Sequence, residues 1–495
     1  DARTLPRHQT MTALIDWSYD LLTLREQRFL EALSVFVGGC TLEAATAVCA
    51  AEEEDDLDVI DIIASLVTKS MLVAELVGDE QRYHLLETSR QYAREKLIAR
   101  DEQEQVGRRH ARFYVELAEQ LETAWETTPE LAWLPQANLE LENWRAALDW
   151  ALRKRSDVIL GQRMAALRKV VLFSFGPNEG CRWVRAALEA VDERTPVALH
   201  ARLEHTEAQG AGLLMEREAA LAAAERALAR YREAGDVLGI AQMQQLAGGY
   251  LALLGRAAEA QPMLREALES ARTLGDRRLV CLGLHKIGWA LSNVGDCNGA
   301  RAHFTEALHF AELVGDKSYW ACVTSDLAEN EFRIGDTEAA LRLASDALAT
   351  YRTMNCSMEP GMAFVLTSIT AYLIALGRYD EARATANEAL KLACNLSLIV
   401  LVAASLKHLA LLALLQPQVN GRSSAAANAC AARLLGFVDA RCSTLSAEEP
   451  GLEHQYAKAF AILRDAMGPD NVTNLMAAGA TMTDEEAIEQ AHAFA

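Results

Sequence analysis

Between residues 227 and 390 the sequence repeats itself at a spacing of 40 residues, which restricts the possible folds more than any single motif does. Three columns carry the repeat. The first is Gly255, Gly295, Gly335 and Gly377, each followed five residues later by Ala260, Ala300, Ala340 or Ala382. The second is the Ala-Leu pair that begins at Ala227, Ala267, Ala307, Ala347 and Ala389. The third is the Gly-Asp step at Gly235, Gly275 and Gly315; the spacing stretches to 42 only across the segment from Cys356 to Pro360. Glycine just past a helix end takes the left-handed conformation that closes the helix, and alanine lets two helices approach closely. Each unit is thus predicted to be helix A, a tight turn at the first glycine, helix B, and a second turn at Gly-Asp. Such hairpins bury their apolar faces by stacking, which gives an α-solenoid.

This pattern resembles the tetratricopeptide repeat in its longer form of about 40 residues. In the unit centred on Gly295, the family's small helix-A residue falls on Gly288 and its helix-B alanines on Ala300 and Ala307. Weaker copies at Ala187-Leu188 and Ala147-Leu148 extend the array upstream, so the superhelix is expected to begin near residue 103. Downstream, helix A at 396–415 is followed by a loop at 416–424, helix B at 425–440 and a closing cap at 452–495, where Thr483 and Glu486 are spaced as a capping box.

Residues 1–100 lack the repeat. Thr23 and Glu26 form a capping box for a helix through about Val35, Thr41 can cap a second, and 57–67 carries apolar residues at helical spacing. Strands at 71–74 and 82–86 flank the turn signal Gly78-Asp79. Three helices and a hairpin make a winged helix. These 100 residues hold 10 Lys/Arg against 18 Asp/Glu, and the third helix region carries Asp55, Asp56, Asp58 and Asp61. Phosphate repulsion argues against DNA reading by this domain.

The whole chain of 495 residues has 48 basic and 69 acidic side chains, a net charge of −21, which disfavours nucleic acid and anionic membranes as direct partners. Its ten cysteines include no CxxC pair and no histidine at zinc spacing, so free thiols in a reducing cytoplasm are expected and no metal ligand is assigned. The run Glu52 to Asp56 reads as a solvated loop. The predicted fold class is mainly all-α: a right-handed α-solenoid of tetratricopeptide-like hairpins preceded by a small winged-helix domain with one β-hairpin. The expected domains are the winged helix at 1–100, linking helices and degenerate repeats at 101–200, repeats at 201–415, and a last repeat with helical cap at 416–495.

The stretches Pro6 to Leu22, Leu33 to Ala45, Tyr83 to Ala93 and Asn138 to Leu152 resemble the winged-helix module and following helices of bacterial STAND-type signal-transduction ATPases. The terminal Ala431 to Gly436 and Thr483 to Ala487 extend the resemblance over essentially the whole chain, and Ser18-Tyr19-Asp20 is similar to the step that opens the corresponding plant module. The resemblance implies a longer parent with a DNA-binding domain and a nucleotide-binding domain upstream of this region, an array that senses an inducer, and assembly controlled by nucleotide state. The chain begins at Asp1, immediately ahead of a helix, as a fragment of such a polypeptide would. No GxxxxGK[ST] occurs, so ATP or ADP is expected only in that upstream domain and this chain is assigned no cofactor. The plant module's Met-His-Asp step aligns with Leu85-Leu86-Glu87, and its nucleotide contact is not carried over.

No HExxH, GxSxG, GxGxxG or EF-hand pattern appears, and a binding protein is expected rather than an enzyme. The candidate site is the wall built by the A helices, where one column is polar in every copy: His205, Gln245, His285, Ser325, Thr367 and Lys407. A polar stripe kept inside a packed stack is expected to face water or a ligand. Neighbouring groove positions are Gln209, Trp289, Asn293, Glu329 and Arg333. The occupant would be an inducer, either a small molecule or a protein; read without a ligand, the column is a row of solvated positions and Trp289 a core residue. A protein-interaction scaffold lacking a small ligand is the alternative function. Trp17, Trp125, Trp133, Trp144, Trp150 and Trp183 are expected to serve packing.

Overall fold

The computed structural model describes residues 14–51, 56–78, 80–125, 130–354, 359–396, 398–415, 425–441 and 452–492. Among them the chain is helical throughout apart from one two-stranded sheet. It divides into two compact units, residues 1–250 and 251–495.

The first unit opens with the winged helix. A helix over 14–20 precedes Leu24–Leu33, where the expected capping box forms: Thr23 accepts from the Glu26 backbone while the Glu26 carboxylate accepts from the Thr23 N–H at 2.7 Å. Thr41 caps Leu42–Cys49 by its hydroxyl alone, which accepts from the Ala44 N–H at 3.1 Å, and the third helix runs Asp56–Thr68. Strands β1 (Val73–Val77) and β2 (Glu80–His84) pair antiparallel from Val77↔Glu80 to Val73↔His84. Each strand differs from its expected span by about two residues because the ladder continues right up to the tight turn. Cys40 bridges to Tyr83 and so ties the loop after the first helices to the wing. Phe29, Leu30, Val48, Val59, Leu66 and Leu97 form the buried centre. Trp17 does not join it. Its side chain is 66% exposed, contrary to the packing role expected of it, whereas Trp133 and Trp144 are fully buried.

Helices Glu87–Ala99 and Gln103–Ala124 carry the chain away from the wing, and Asn143 locks the joint. Its amide oxygen accepts from the Val37 N–H at 3.1 Å, and its nitrogen donates to the Gly39 carbonyl at 2.9 Å. Where weak repeat copies were expected, the path is interrupted by π-helical turns at Asp149–Arg153 and Val170–Ser174. Regular hairpins follow from Val197–Leu213 and Arg217–Ala234.

In the second unit the A helices are Arg277–Asn293, Lys317–Ile334, Glu359–Ala375 and Ile399–Leu415. Their B partners are Cys297–Val314, Thr337–Thr353, Tyr379–Asn395 and Ala425–Arg441. The column alanines behave as the packing code requires: Ala260, Ala267, Ala300, Ala307, Ala340, Ala347, Ala382 and Ala389 are all fully buried. The Gly-Asp step performs two jobs in two residues. Gly275, at φ 69°, donates its N–H to the Arg272 carbonyl at 3.1 Å, and the Asp276 N–H reaches the Ala271 carbonyl at 3.2 Å, which closes the helix. The Asp276 carboxylate then accepts from the Leu279 N–H at 2.9 Å and caps the next helix. Successive A helices touch one another within this unit while successive B helices scarcely do, so the hairpins fan with the A helices on the tighter side. Helices Glu453–Met467, Pro469–Ala480 and Asp484–His492 close the stack, and the Thr483–Glu486 capping box is formed.

The expected loop at 416–424, the segment around Cys356 and the acidic residues 52–55 lie outside the described residues.

Candidate functional site on the A-helix wall

The polar column is present, but it does not face open water. His205, Gln245, His285, Ser325, Thr367 and Lys407 are each only 3–7% exposed. Neighbouring side chains cover them. The His285 Nδ1 lies 2.6 Å from the Tyr319 hydroxyl and its Nε2 2.6 Å from the Asp326 carboxylate, both on the next A helix. Thr367 donates back to the Ala363 carbonyl at 2.9 Å, which a helical hydroxyl can do without leaving its helix. The Lys407 ammonium sits 4.4 Å above the ring of Tyr456 in the cap. In the first unit, Arg168 donates to the His205 Nε2 at 2.9 Å and Tyr231 lies 3.2 Å from its Nδ1. Burial, reinforced by the charges of Arg168 and Arg202, holds that imidazole well below the usual histidine range, so it is neutral at neutral pH.

The accessible wall lies one or two turns further along the same helices. Trp289, Glu329 and Gln209 are half-buried, and Asn293 and Arg333 are exposed. Glu329 accepts from the Tyr372 hydroxyl at 3.1 Å and pairs with Arg333 at 3.3 Å. Arg333 in turn donates to the Ser292 carbonyl at 3.4 Å. These contacts join three successive A helices. Tyr372 is kept a neutral phenol by burial and by the adjacent Glu329 charge, so it remains a hydrogen-bond donor. The structure thus brings His285, Trp289, Asn293, Ser325, Glu329 and Arg333 onto two adjacent A helices of the second unit. Thr367 lies one hairpin further on and Lys407 two, the latter against the cap. Gln209, His205 and Gln245 belong to the first unit.

Sequence reasoning missed Tyr319, Cys322, Asp326 and Tyr372. Their signal is the repeat offset itself: Asp326 is 41 residues after His285 and Tyr372 is 43 after Glu329, so partners sit about one period away. It also missed a cavity of about 410 Å³ in the first unit, lined by Val37, Arg94, His110, Arg145, Trp150 and Trp183 among others. That space is in the range of small-ligand pockets. Its carboxylates are taken up by its cations, as when Arg145 pairs with Glu142 at 2.5 Å and Glu179 at 2.6 Å.

The winged helix presents an unusual outer face for a groove reader. Leu57 is 72% exposed and Ile60 is also exposed at the start of the third helix, Leu24 is exposed at the start of Leu24–Leu33, and Arg25 pairs with Asp58 at 3.0 Å. The wing cation Arg82 is turned inward and buried, with its guanidinium 3.1 Å from the Glu140 carboxylate.

The profile of a winged helix-turn-helix domain matches residues 22–98. Over 362 residues the chain is 32% identical to a Mycobacterium tuberculosis protein named "Putative HTH-type transcriptional regulator Rv0890c", covering 70% of this chain and 40% of that protein. A Mycobacterium bovis counterpart matches equally, at 32% identity and 40% of its length. The chain therefore spans well under half the length of these curated relatives. Among solved structures, a STAND protein with a tetratricopeptide repeat sensor from Pyrococcus horikoshii is similar at 15% identity and a TM-score of 0.45, covering 93% of this chain and 66% of that one. A Rap protein complexed with Competence and Sporulation Factor is similar at 14% identity and a TM-score of 0.48, covering 74% of this chain and 99% of that one.

Proposed function

We propose that this chain is the sensor and effector-binding region of a STAND-type transcriptional regulator, with its A-helix wall binding an inducer. The observation that carries this reading is the half-buried indole of Trp289 on the A helix next to the one that carries the Glu329–Arg333 pair, a pair braced from behind by the fully buried Tyr372 phenol of the following A helix. Such a surface offers a flat apolar area together with donors and an acceptor at fixed positions, which suits a small molecule or a short peptide. The buried polar column beneath it acts as support, because partners that satisfy His285 and Thr367 also hold the helices that present the wall. Similarity to HTH-type regulators along 70% of the chain supports the assignment to that class.

The winged helix in this reading contacts protein. Its exposed third-helix residues are apolar or acidic, as Leu57, Ile60 and Asp61 show, and its wing arginine is buried, the reverse of what phosphate binding requires. Its outer face is assigned to the nucleotide-binding domain of the same polypeptide, where ATP or ADP would reside and control assembly.

The test is a thermal-shift screen of the chain against metabolite and short-peptide pools. A saturable stabilising ligand is expected, and Trp289→Ala or Arg333→Ala should reduce its affinity at least tenfold while leaving the unliganded melting temperature within a few degrees. A ligand unaffected by both variants would place the site elsewhere. No ligand in either pool, with stable capture of a folded protein through the same wall, would favour the scaffold.

A further inference from the structure

Cys322, His285 and Asp326 converge on one point of the second unit: the thiol sulfur, an imidazole nitrogen and a carboxylate oxygen all lie within 4.8 Å of one another. Two helices supply them. Cys322 and Asp326 are four residues apart on Lys317–Ile334, which puts them on one helix face, and His285 approaches from Arg277–Asn293. We propose that these three side chains bind a zinc ion, with the fourth position open toward the A-helix wall.

The donor set selects the metal class. Thiolate and imidazole favour zinc over magnesium or calcium, and three protein ligands with one open position are the pattern of reactive or ligand-accepting zinc sites. Charge also balances, since one thiolate and one carboxylate neutralise a divalent cation in a place where His285 and Cys322 are largely shielded from water. With metal–donor distances of about 2.0–2.3 Å, the donors of a tetrahedral site stand roughly 3.3–3.8 Å apart. The 2.6 Å contact between the His285 Nε2 and the Asp326 carboxylate must therefore open by about 1 Å. A separation at the 4.8 Å limit would have to close by a similar amount. Rotation of the Asp326 side chain, which is 21% exposed, supplies that movement and the entry path.

The outer support is already built. The His285 Nδ1 lies 2.6 Å from the Tyr319 hydroxyl, and metal-bound histidines characteristically have their other ring nitrogen hydrogen-bonded. Burial keeps Tyr319 a neutral phenol, so its oxygen can accept a proton-bearing Nδ1. For the tautomer that carries its single proton on Nε2, the ring donates to Asp326 and accepts from the Tyr319 hydroxyl at Nδ1. On metal binding the Nε2 lone pair goes to the ion and the ring proton resides on Nδ1, while the Cys322 thiol gives up its proton to solvent. One proton is released per ion, and no redox change occurs.

The experiment uses the whole chain stripped of metal by a chelator and titrated with Co²⁺, then with Zn²⁺. One equivalent of Co²⁺ should give the visible absorption of a tetrahedral ion together with a near-ultraviolet thiolate-to-cobalt charge-transfer band, both erased by Zn²⁺. Cys322→Ser should remove the charge-transfer band and weaken Zn²⁺ binding at least tenfold, and Tyr319→Phe should keep the band while weakening binding about tenfold. An unchanged band and affinity in Cys322→Ser, or no saturable Co²⁺ spectrum from the folded wild-type chain, overturns the proposal. If circular dichroism shows that Cys322→Ser does not fold, Asp326→Asn decides: an unchanged Zn²⁺ affinity overturns the site, and a loss of tenfold or more with the sulfur band retained supports it.

Discussion

His110 illustrates how much a single buried side chain decides. It is enclosed by Phe36 and Tyr114, with ring centroids at 5.3 and 4.7 Å, and burial brings its pKa down to about 4. In the unfolded chain histidine titrates near 6.5. Above pH 6.5 both states hold a neutral ring and the stabilisation is complete. As the pH falls from 6.5 toward 4, the unfolded chain takes up a proton that the folded chain does not, and stability is lost. Between pH 7 and pH 5 this single group should remove about 2 kcal/mol. Urea unfolding at the two pH values measures the loss, and His110→Gln should reduce it by about that amount; an identical pH dependence in the variant would refute the assignment. A second residue-scale expectation concerns Gly288, where an added Cβ would sit 2.9 Å from the fully buried Phe304 ring. In an open helix, glycine to alanine stabilises by about 1 kcal/mol. Here overpacking should reverse the sign and cost about 1–3 kcal/mol, read as a lowered melting temperature for Gly288→Ala. The sequence shows that position 288 is small, but not which ring makes it so. Likewise the polar column was legible in residue type and not in burial, because the groups that cover His285 come from the next hairpin.

At the scale of elements, helix ends were the most readable feature. The seven turn glycines from Gly235 to Gly377 all have φ between 69° and 98°, a region that penalises any side chain, so a glycine column marks the turns wherever the chain repeats. The aspartate that follows five of these glycines, Gly235, Gly275, Gly295, Gly315 and Gly335, carries a second message that the packing columns concealed. Asp336 accepts from the Ala339 N–H at 3.0 Å and caps Thr337–Thr353. Asp336→Ala should cost about 1 kcal/mol and Asp336→Asn much less, since the amide oxygen can still accept. Thermal unfolding of the two variants side by side tests this, and equal losses would show that the charge matters rather than the cap. Elements without such punctuation were illegible. Residues 149–174 contain two π-helical turns, the second of which places the Val171 carbonyl where a Cβ on Gly180 would have to stand, and they leave no periodic trace in composition.

At the scale of the molecule, a repeat array raises the question of what stops it. An interior hairpin is covered on both sides, whereas a terminal one must be closed by something with a polar outer face. Helix Ile399–Leu415 meets this problem in an extreme form, because every residue from Ala403 to Leu415 is buried, leaving no solvated face along that stretch. A helix apolar all round is stable only when surrounded. Its neighbours are the preceding A helix Glu359–Ala375, Tyr379–Asn395, Ala425–Arg441, and the cap helices Glu453–Met467 and Asp484–His492. The sequence announced a cap at 452–495, and the need for it could be read from the composition of 399–415, but its division into three helices could not. Uncovering several of these leucines costs roughly 1.5–3 kcal/mol each, a sum comparable to the 5–15 kcal/mol that holds a typical domain folded. A chain ending at residue 441 should therefore lose its cooperative unfolding transition in the second unit and bind an apolar-surface dye, with aggregation rising with concentration. A two-state denaturation curve unchanged from the full chain would mean that the last repeat closes itself. Lys407 gives a local check on the same point: Tyr456→Ala removes the ring beneath its ammonium within an intact cap, and a loss of only about 1–2 kcal/mol beyond the packing loss would separate that contact from the closing role of the cap as a whole.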